Sequence, residues 1–168
     1  VSERRERTPD SSFGEQGPIR RIKVRIYVEP DAADLPIPEY MTPGSAGADL
    51  RAAVKDPVTL VPGDWAMIST GLRLEIPKGY EGQIRPRSGL AARHGVTCLN
   101  APGTIDSDFR GVVQVILINH GAVPFVVRRG DRIAQLVIAP VVQAEFERAE
   151  KLNDTHRGEG GFGHSGMG

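Results

Sequence analysis

Residues 21–28 alternate strictly along the chain. Ile22, Val24, Ile26 and Val28 fall on one side, and Arg21, Lys23, Arg25 and Tyr27 on the other. A period of two marks a half-buried β-strand. Residues 29–43 carry four prolines and read as irregular. Residues 44–52 are small, and Asp49 and Arg51 alternate there with apolar neighbours, so backbone can pack closely. Residues 58–61 and 65–76 read as strands on either side of the turn Pro62-Gly63-Asp64. Pro77-Lys78-Gly79 turns the chain into a further strand at 80–84. The one clear helix lies within residues 85–95, with Ser88 as its N-cap and Gly95 as its end.

Downstream, residues 96–99 and 104–105 are β-prone on either side of Asn100-Ala101-Pro102-Gly103. This predicts a β-hairpin with Asp106 just beyond its mouth. Residues 112–119 are apolar nearly throughout and read as a buried strand. Residues 124–127 and 132–138 read as strands around the turn Arg128-Arg129-Gly130-Asp131, and residues 141–146 as the last strand. Within 132–138, strict alternation sets Arg132, Ala134 and Leu136 against Ile133, Gln135 and Val137. Gln135 thus lies on an apolar side, where its amide needs a partner. A ligand or a backbone carbonyl meets that need equally well. Residues 1–18 mix charge, Ser, Pro and Gly without a period and read as a disordered tail. From residue 153 onwards glycine dominates, and residues 153–168 read as a flexible arm around a core domain of residues 19–152.

Composition narrows this picture. The 168 residues favour a single domain with a real core. With 20 glycines and 13 prolines and few aromatics, many short strands and tight turns fit better than a helical bundle. The 21 basic and 21 acidic residues give a net charge of +0, which argues against nucleic acid as a bulk electrostatic partner. No apolar run approaches membrane-spanning length, and the N-terminal residues lack the apolar core of a signal peptide. A single cysteine, Cys98, forbids an intrachain disulfide and suits a reducing compartment. The cytoplasm is the expected location. Cys98 sits in an apolar run and reads as a buried small group rather than a nucleophile.

The candidate chemistry centres on residues 103–111, G-T-I-D-S-D-F-R-G. Asp106 has Phe109 three residues on, followed by Arg110. A carboxylate beside a flat ring suits a ligand with a planar or sugar face and a bond to be hydrolysed. An ordinary turn with solvated acids and a core Phe has the same letters. Arg87 and Ser88 at a helix start bring a cation, a hydroxyl and free backbone N–H groups together, which suits phosphate oxygens. A salt-bridged Arg87 is the alternative. In the Gly-rich arm, Arg157 suits anions, Phe162 stacking, and the glycine N–H groups phosphate, while a floppy tail is the alternative. The four histidines and scattered acids show no metal-ligand spacing.

Taken together these segments resemble the trimeric dUTPase family, which is recognised by five short motifs in fixed order. A-G-A-D-L-R-A at 46–52 resembles the first and P-R-S-G-L-A at 86–91 the second. N-A-P-G-T-I-D-S-D-F-R-G at 100–111 and G-D-R-I-A-Q at 130–135 match the third and fourth. R-G-E-G-G-F-G-H-S-G at 157–166 resembles the fifth. The resemblance implies an all-β jelly-roll barrel with one short helix, assembled as a homotrimer with shared active sites. It implies hydrolysis of dUTP to dUMP and pyrophosphate with Mg²⁺ held through the triphosphate and waters, with no direct protein ligand. Asp106 would be the base that activates water. Asn100, Thr104, Ile105 and the Gln114 backbone would hold uracil, and Phe109 would lie under the deoxyribose. Arg87, Ser88, Gly89 and Gln135 would hold phosphates, with Asp49 supporting them. From a neighbouring subunit, Arg157 would grip the γ-phosphate and Phe162 would cover the base, with Gly163, His164 and Ser165 near the phosphates. Such an enzyme keeps uracil out of DNA and supplies dUMP for dTMP synthesis.

Two positions depart from the family pattern. Phe109 stands where Tyr is usual, and His164-Ser165 where Ser-Thr is usual. A dCTP deaminase of the same fold would need a glutamate on the strand after the third motif, and residues 112–119 contain Gln114 but no Glu. A non-catalytic trimeric binding or regulatory protein is the reading from another class, and an intact Asp106, Gln135 and Arg157 argue against it.

Overall fold

The alternation at 21–28 persists as an exposed and half-buried rhythm, but only Arg25–Val28 (β1) pairs as a strand. The computed structural model describes residues 19–160. The expected N-terminal tail and residues 162–165 of the arm lie outside that range. The remaining strands are β2 (Ala48–Arg51), β3 (Val58–Leu60), β4 (Trp65–Ser69), β5 (Leu72–Glu75), β6 (Tyr80–Arg85), β7 (Val96–Cys98), β8 (Gly103–Ile105), β9 (Gln114–Asn119), β10 (Phe125–Val127) and β11 (Arg132–Pro140). A single α-helix, α1, spans Ser88–His94. All strand pairings are antiparallel. They form a four-stranded sheet in the order β2-β11-β6-β8, a three-stranded sheet β4-β9-β7, and two ribbons, β1-β5 and β10-β3. These enclose one core that includes Leu50, Leu60, Ile68, Leu74, Val115, Leu117 and Ile133. The architecture is of the jelly-roll type, although its sheets do not join into one closed, continuously hydrogen-bonded barrel among the described residues. No described helix is long and apolar enough to cross a membrane.

Five expectations need correction. The strand expected over residues 65–76 breaks at Thr70-Gly71, where Gly71 has φ 66°, into β4 and β5, which pair with β9 and β1. Strands β7 and β8 do not form a hairpin. β7 pairs with β9 and β8 with β6, so the chain crosses from one sheet to the other at 99–102. Val96, Cys98, Gly103 and Ile105 are all buried, and two sheets flanking one core bury both segments at once. The N-cap of α1 is Arg87 rather than Ser88. Arg87 is extended (φ −90°, ψ 123°), and its carbonyl accepts from Leu90 at 3.0 Å and Ala91 at 3.1 Å. Gly95 does close the helix, at φ 67°, where its missing Cβ lifts the penalty of a left-handed residue.

The strict alternation in β11 fails at its start. The register shifts between Arg132 and Ala134, so Ile133 and Ala134 are both buried and Arg132 reaches the face of Asp49. A bulge inserts one residue and reorients what precedes it. Finally, residues 141–146 form no strand. Val141 N–H still donates to the Gly79 carbonyl at 2.9 Å, but Val142 and Phe146 are each 95% exposed, and no strand among the described residues runs beside them.

Polar groups tie the irregular segments to this frame. Arg129 pairs with Asp34 and donates to the carbonyls of Asp31 at 2.6 Å and Val54 at 3.2 Å. Its guanidinium holds the Asp34 carboxyl below the usual range. Asn119 is fully buried and uses both ends of its amide. Nδ2 donates to the carbonyls of Leu60 at 2.9 Å and Val123 at 2.8 Å, and Oδ1 accepts from Gly121 N–H at 2.8 Å. Asn119→Ala orphans three backbone groups, one buried and two partly buried. We expect a loss of about 2–4 kcal/mol of stability, read from urea unfolding. A loss under about 1 kcal/mol would mean that water satisfies those groups.

Candidate functional site

β8 is short because Gly103 and Ile105 bury inward while Thr104 faces out and the polar stretch Asp106-Ser107-Asp108 follows at once. At Gly103 a Cβ would stand 3.1 Å from Asn100 Nδ2 and 3.3 Å from Ile84 Cβ, so the glycine lets the Asn100 amide close on the strand. The result is an open cleft of about 460 Å³. Asn100, Thr104, Ile105, Asp106, Phe109 and Gln114 all line it. Backbone of β8, the loop after it and the start of β9 thus face one space. That space has an apolar floor for a planar group and a carboxylate at its rim.

Asp106 is exposed. It borders both this cleft and a neighbouring groove of about 970 Å³. Among the described residues its carboxylate has no ion-pair partner. The Phe109 ring is 43% exposed and rests on Gly111. A Cβ at Gly111 would meet the ring's Cζ at 2.5 Å, so the close approach requires glycine.

A second cluster forms on the four-stranded sheet. Asp49 is buried on β2, with Arg87 Nε at 3.1 Å from one oxygen and Arg132 Nη1 at 3.0 Å from the other. Arg87 Nη1 also donates to the Arg132 carbonyl at 3.2 Å. Arg87 is therefore salt-bridged, and its Nη2 has no protein partner among the described residues. Two guanidiniums around one carboxylate leave a net positive charge that suits an anion. Gln135 pairs with Asp49 on one side and Arg85 on the other, so its amide stands in the same row. Gly47 lies over it, where a Cβ would be 3.1 Å from Gln135 Cβ. Ser88 and Gly89 open α1 beside Arg87.

None of Asp49, Arg87, Ser88, Gly89 and Gln135 lines the cleft. The cleft strand β8 and the Asp49 strand β2 are the two edges of one sheet. Three inter-strand steps separate them, roughly 14 Å at about 4.8 Å each. Arg157 is exposed, with Nε donating to the Gly160 carbonyl at 2.7 Å, and belongs to neither cluster. The residues Phe162, Gly163, His164 and Ser165 lie outside the described range. Sequence reasoning missed Arg132, whose place beside Asp49 depends on the bulge. It also missed Met67 and Ile116, which face each other across β4 and β9 and line the cleft. An exposed Met within a strand was the only hint. Cys98 is buried as expected, and burial pushes its thiol up to about 11, which leaves it inert as a nucleophile at neutral pH.

A jelly-roll domain with a cleft of about 460 Å³, a carboxylate at its rim and a separate cluster of two guanidiniums suits the class of enzymes acting on nucleotides. Comparison with known proteins narrows it. A dUTPase family model matches residues 33–166. The deoxyuridine 5'-triphosphate nucleotidohydrolase of Maricaulis maris (strain MCS10) is 58% identical over 147 residues, covering 86% of this chain and 97% of that protein. Its counterpart from Chlamydia pneumoniae is 60% identical over 131 residues, covering 77% of this chain and 90% of that protein. Among solved structures, a dUTPase variant from Staphylococcus bacteriophage 80alpha with dUpNHpp matches with a TM-score of 0.76 at 25% identity, over 86% of this chain and 99% of that one. A dUTPase variant from phage phi11 of S. aureus, described with a structural Mg(II) ion, shares the fold with a TM-score of 0.68 at 23% identity, over 77% of this chain and 98% of that one. This chain belongs to the dUTPase family, the deoxyuridine 5'-triphosphate nucleotidohydrolases.

Proposed function

We propose that the chain hydrolyses dUTP to dUMP and pyrophosphate by water attack on the α-phosphorus, with Asp106 as the base. The observation that carries this is the cleft itself. It gathers Asn100, Thr104, Ile105, Asp106, Phe109 and Gln114 into one space of about 460 Å³. Uracil enters against the β8 backbone, whose peptide groups read its edge as a pairing strand would. A close backbone wall rejects a methyl group better than a loose apolar pocket, which discriminates weakly on one methyl. The Phe109 ring supports the deoxyribose and leaves a 2′-hydroxyl without a partner. Asp106 takes the proton of a water held within hydrogen-bond reach, because neutral water is a poor nucleophile.

The phosphates meet Arg87, Ser88, Gly89 and Gln135. Asp49 orients Arg87 and Arg132 and keeps their charges from repelling each other. Among the described residues no group of three or more His, Cys, Asp or Glu side chains converges. Mg²⁺ would be carried on the triphosphate and water, with carboxylates acting through the water shell. When bound, the ion offsets charge on the phosphate oxygens.

The separation of cleft and cation cluster supports a homotrimer in which each active site draws on several subunits. One copy's cleft then meets another's Arg87 cluster. Val142, Phe146 and Leu152, exposed at 95%, 95% and 81%, supply apolar surface for such an assembly. The arm of residues 153–168 closes over bound nucleotide, with Arg157 on the γ-phosphate and Phe162 on the base. The enzyme acts in the cytoplasm, where it removes dUTP and supplies dUMP for dTMP synthesis.

The test is pyrophosphate release from dUTP, UTP, dTTP and dCTP with Mg²⁺, alongside sedimentation. Fast release from dUTP alone by a trimer is expected. Ammonia from dCTP would instead indicate the deaminase chemistry of the same fold. Silence on all four would indicate a binding protein.

A further inference from the structure

The residues of the loop 106–110 are exposed for the most part, yet most of their carbonyls are not left to water. Phe109 N–H donates to the Asp106 carbonyl at 3.2 Å. Arg110 Nη1 donates to the carbonyls of Ser107 at 2.7 Å and Phe109 at 2.8 Å. The Arg110 carbonyl in turn accepts from Arg73 Nη1 at 3.1 Å. Four of the five carbonyls in this stretch thus have protein donors, and arginine side chains serve three of them. Exposed carbonyls are ordinarily satisfied by water at little cost. Charged donors on successive carbonyls restrict a loop more than solvent does.

The anchor is firm. Arg73 Nε is ion-paired with Glu29, and Arg73 stands opposite Tyr27 in the β1-β5 ribbon. Beyond the loop, Val113 N–H donates to the Leu72 carbonyl at 2.8 Å, and Thr70 Oγ1 donates to the Val113 carbonyl at 2.8 Å. Both ends of the loop therefore connect to paired strands. Neither Arg73 nor Arg110 lines the cleft, and Arg110 borders the neighbouring groove beside Asp106.

We propose that Arg110 is a positioning residue for dUTP hydrolysis, with Arg73 as its anchor. Together they lock the backbone between Asp106 and Gly111, so the carboxylate and the Phe109 ring hold one geometry on the cleft. The inference rests on the reading of Asp106 as the base. The ring sits directly on Gly111, so a shift of this loop tips the ring and moves the carboxylate together. A misplacement of about 1 Å at a reacting group costs on the order of 100-fold in rate.

The test uses the full chain with Arg110→Ala, Arg110→Lys and Arg73→Ala. Steady-state rates on dUTP and UTP are measured beside thermal melts and sedimentation. For Arg110→Ala, kcat on dUTP is expected to fall roughly 10- to 100-fold while KM changes far less. The UTP-to-dUTP ratio of kcat/KM should rise, because the ring is no longer held. Arg110→Lys should recover most of the rate, since an ammonium has hydrogens for both carbonyls. Arg73→Ala should move both readouts in the same direction by less.

An Arg110→Ala protein within about twofold of wild type in kcat and in sugar preference would overturn the proposal. So would a rate loss with no recovery in Arg110→Lys, which would place the guanidinium on substrate instead. Should Arg110→Ala not fold, Arg73→Ala decides, and unchanged readouts there overturn the proposal. A wild type inactive on dUTP overturns the functional reading as well, whereas an active wild type with an indifferent Arg110 overturns this inference alone.

Discussion

Replacing Asp106 by asparagine is expected to lower kcat on dUTP by about 10²- to 10⁴-fold, the usual worth of a positioned general base. The exchange keeps size and shape, and the amide still hydrogen-bonds water, but it cannot take a proton. Asp106 follows β8 directly, so its backbone is placed by the pairing of Gly103–Ile105 with β6. Its side chain borders both the cleft and the groove of about 970 Å³ beside it, which gives water a way in. Its carboxylate is engaged in no ion pair among the described residues, so no structural bond is lost in the variant. KM for dUTP and the melting temperature should therefore stay near wild type. Single-turnover rates with bound dUTP check the chemical step directly. A fall of less than about tenfold would remove Asp106 from the role of base.

Asp49→Ala is expected to affect both stability and substrate binding, and it acts first on stability. The carboxylate is 7% exposed and holds two guanidiniums at 3.1 Å and 3.0 Å. Removing it leaves two like charges close together with no counter-charge. Breaking a fully buried pair by deleting one partner costs about 3–5 kcal/mol. The Arg87 and Arg132 side chains are 24% and 39% exposed, so water relieves part of this. A loss of about 2–3 kcal/mol is expected in urea unfolding. Arg132→Ala should cost less, because a neutral Asp49–Arg87 pair remains. If Arg132→Ala proves the more damaging of the two, like-charge repulsion is not the reason for the cluster. Where Asp49→Ala folds, KM for dUTP should rise, since Arg87 no longer has a fixed direction from which to meet phosphate.

How legible each feature was depended on sequence separation. The strands 58–60 and 80–85 followed from local pattern and turn residues, and Gly95 from the need for a left-handed cap, whereas the break of 65–76 into β4 and β5 did not. Much of the cleft was legible because Asn100, Thr104, Ile105, Asp106 and Phe109 are neighbours in the chain, and one strand and its turn carry them together. Met67 was not, because it reaches the cleft only through the pairing of β4 with β9.

By itself the sequence determined the β-rich class, most strand positions, the lone buried thiol and the identity of the groups around Asp106. These depend on period, turn chemistry and short range. Tertiary structure alone decided that β7 and β8 part into different sheets, that a bulge turns Arg132 toward Asp49, and that 141–146 leaves the sheet. It alone brought Arg87 and Arg132 to Asp49 across 38 and 83 residues of chain. Long-range pairing is set by how the sheets bury one shared core. A local pattern names the face a residue prefers but not the strand that will lie beside it.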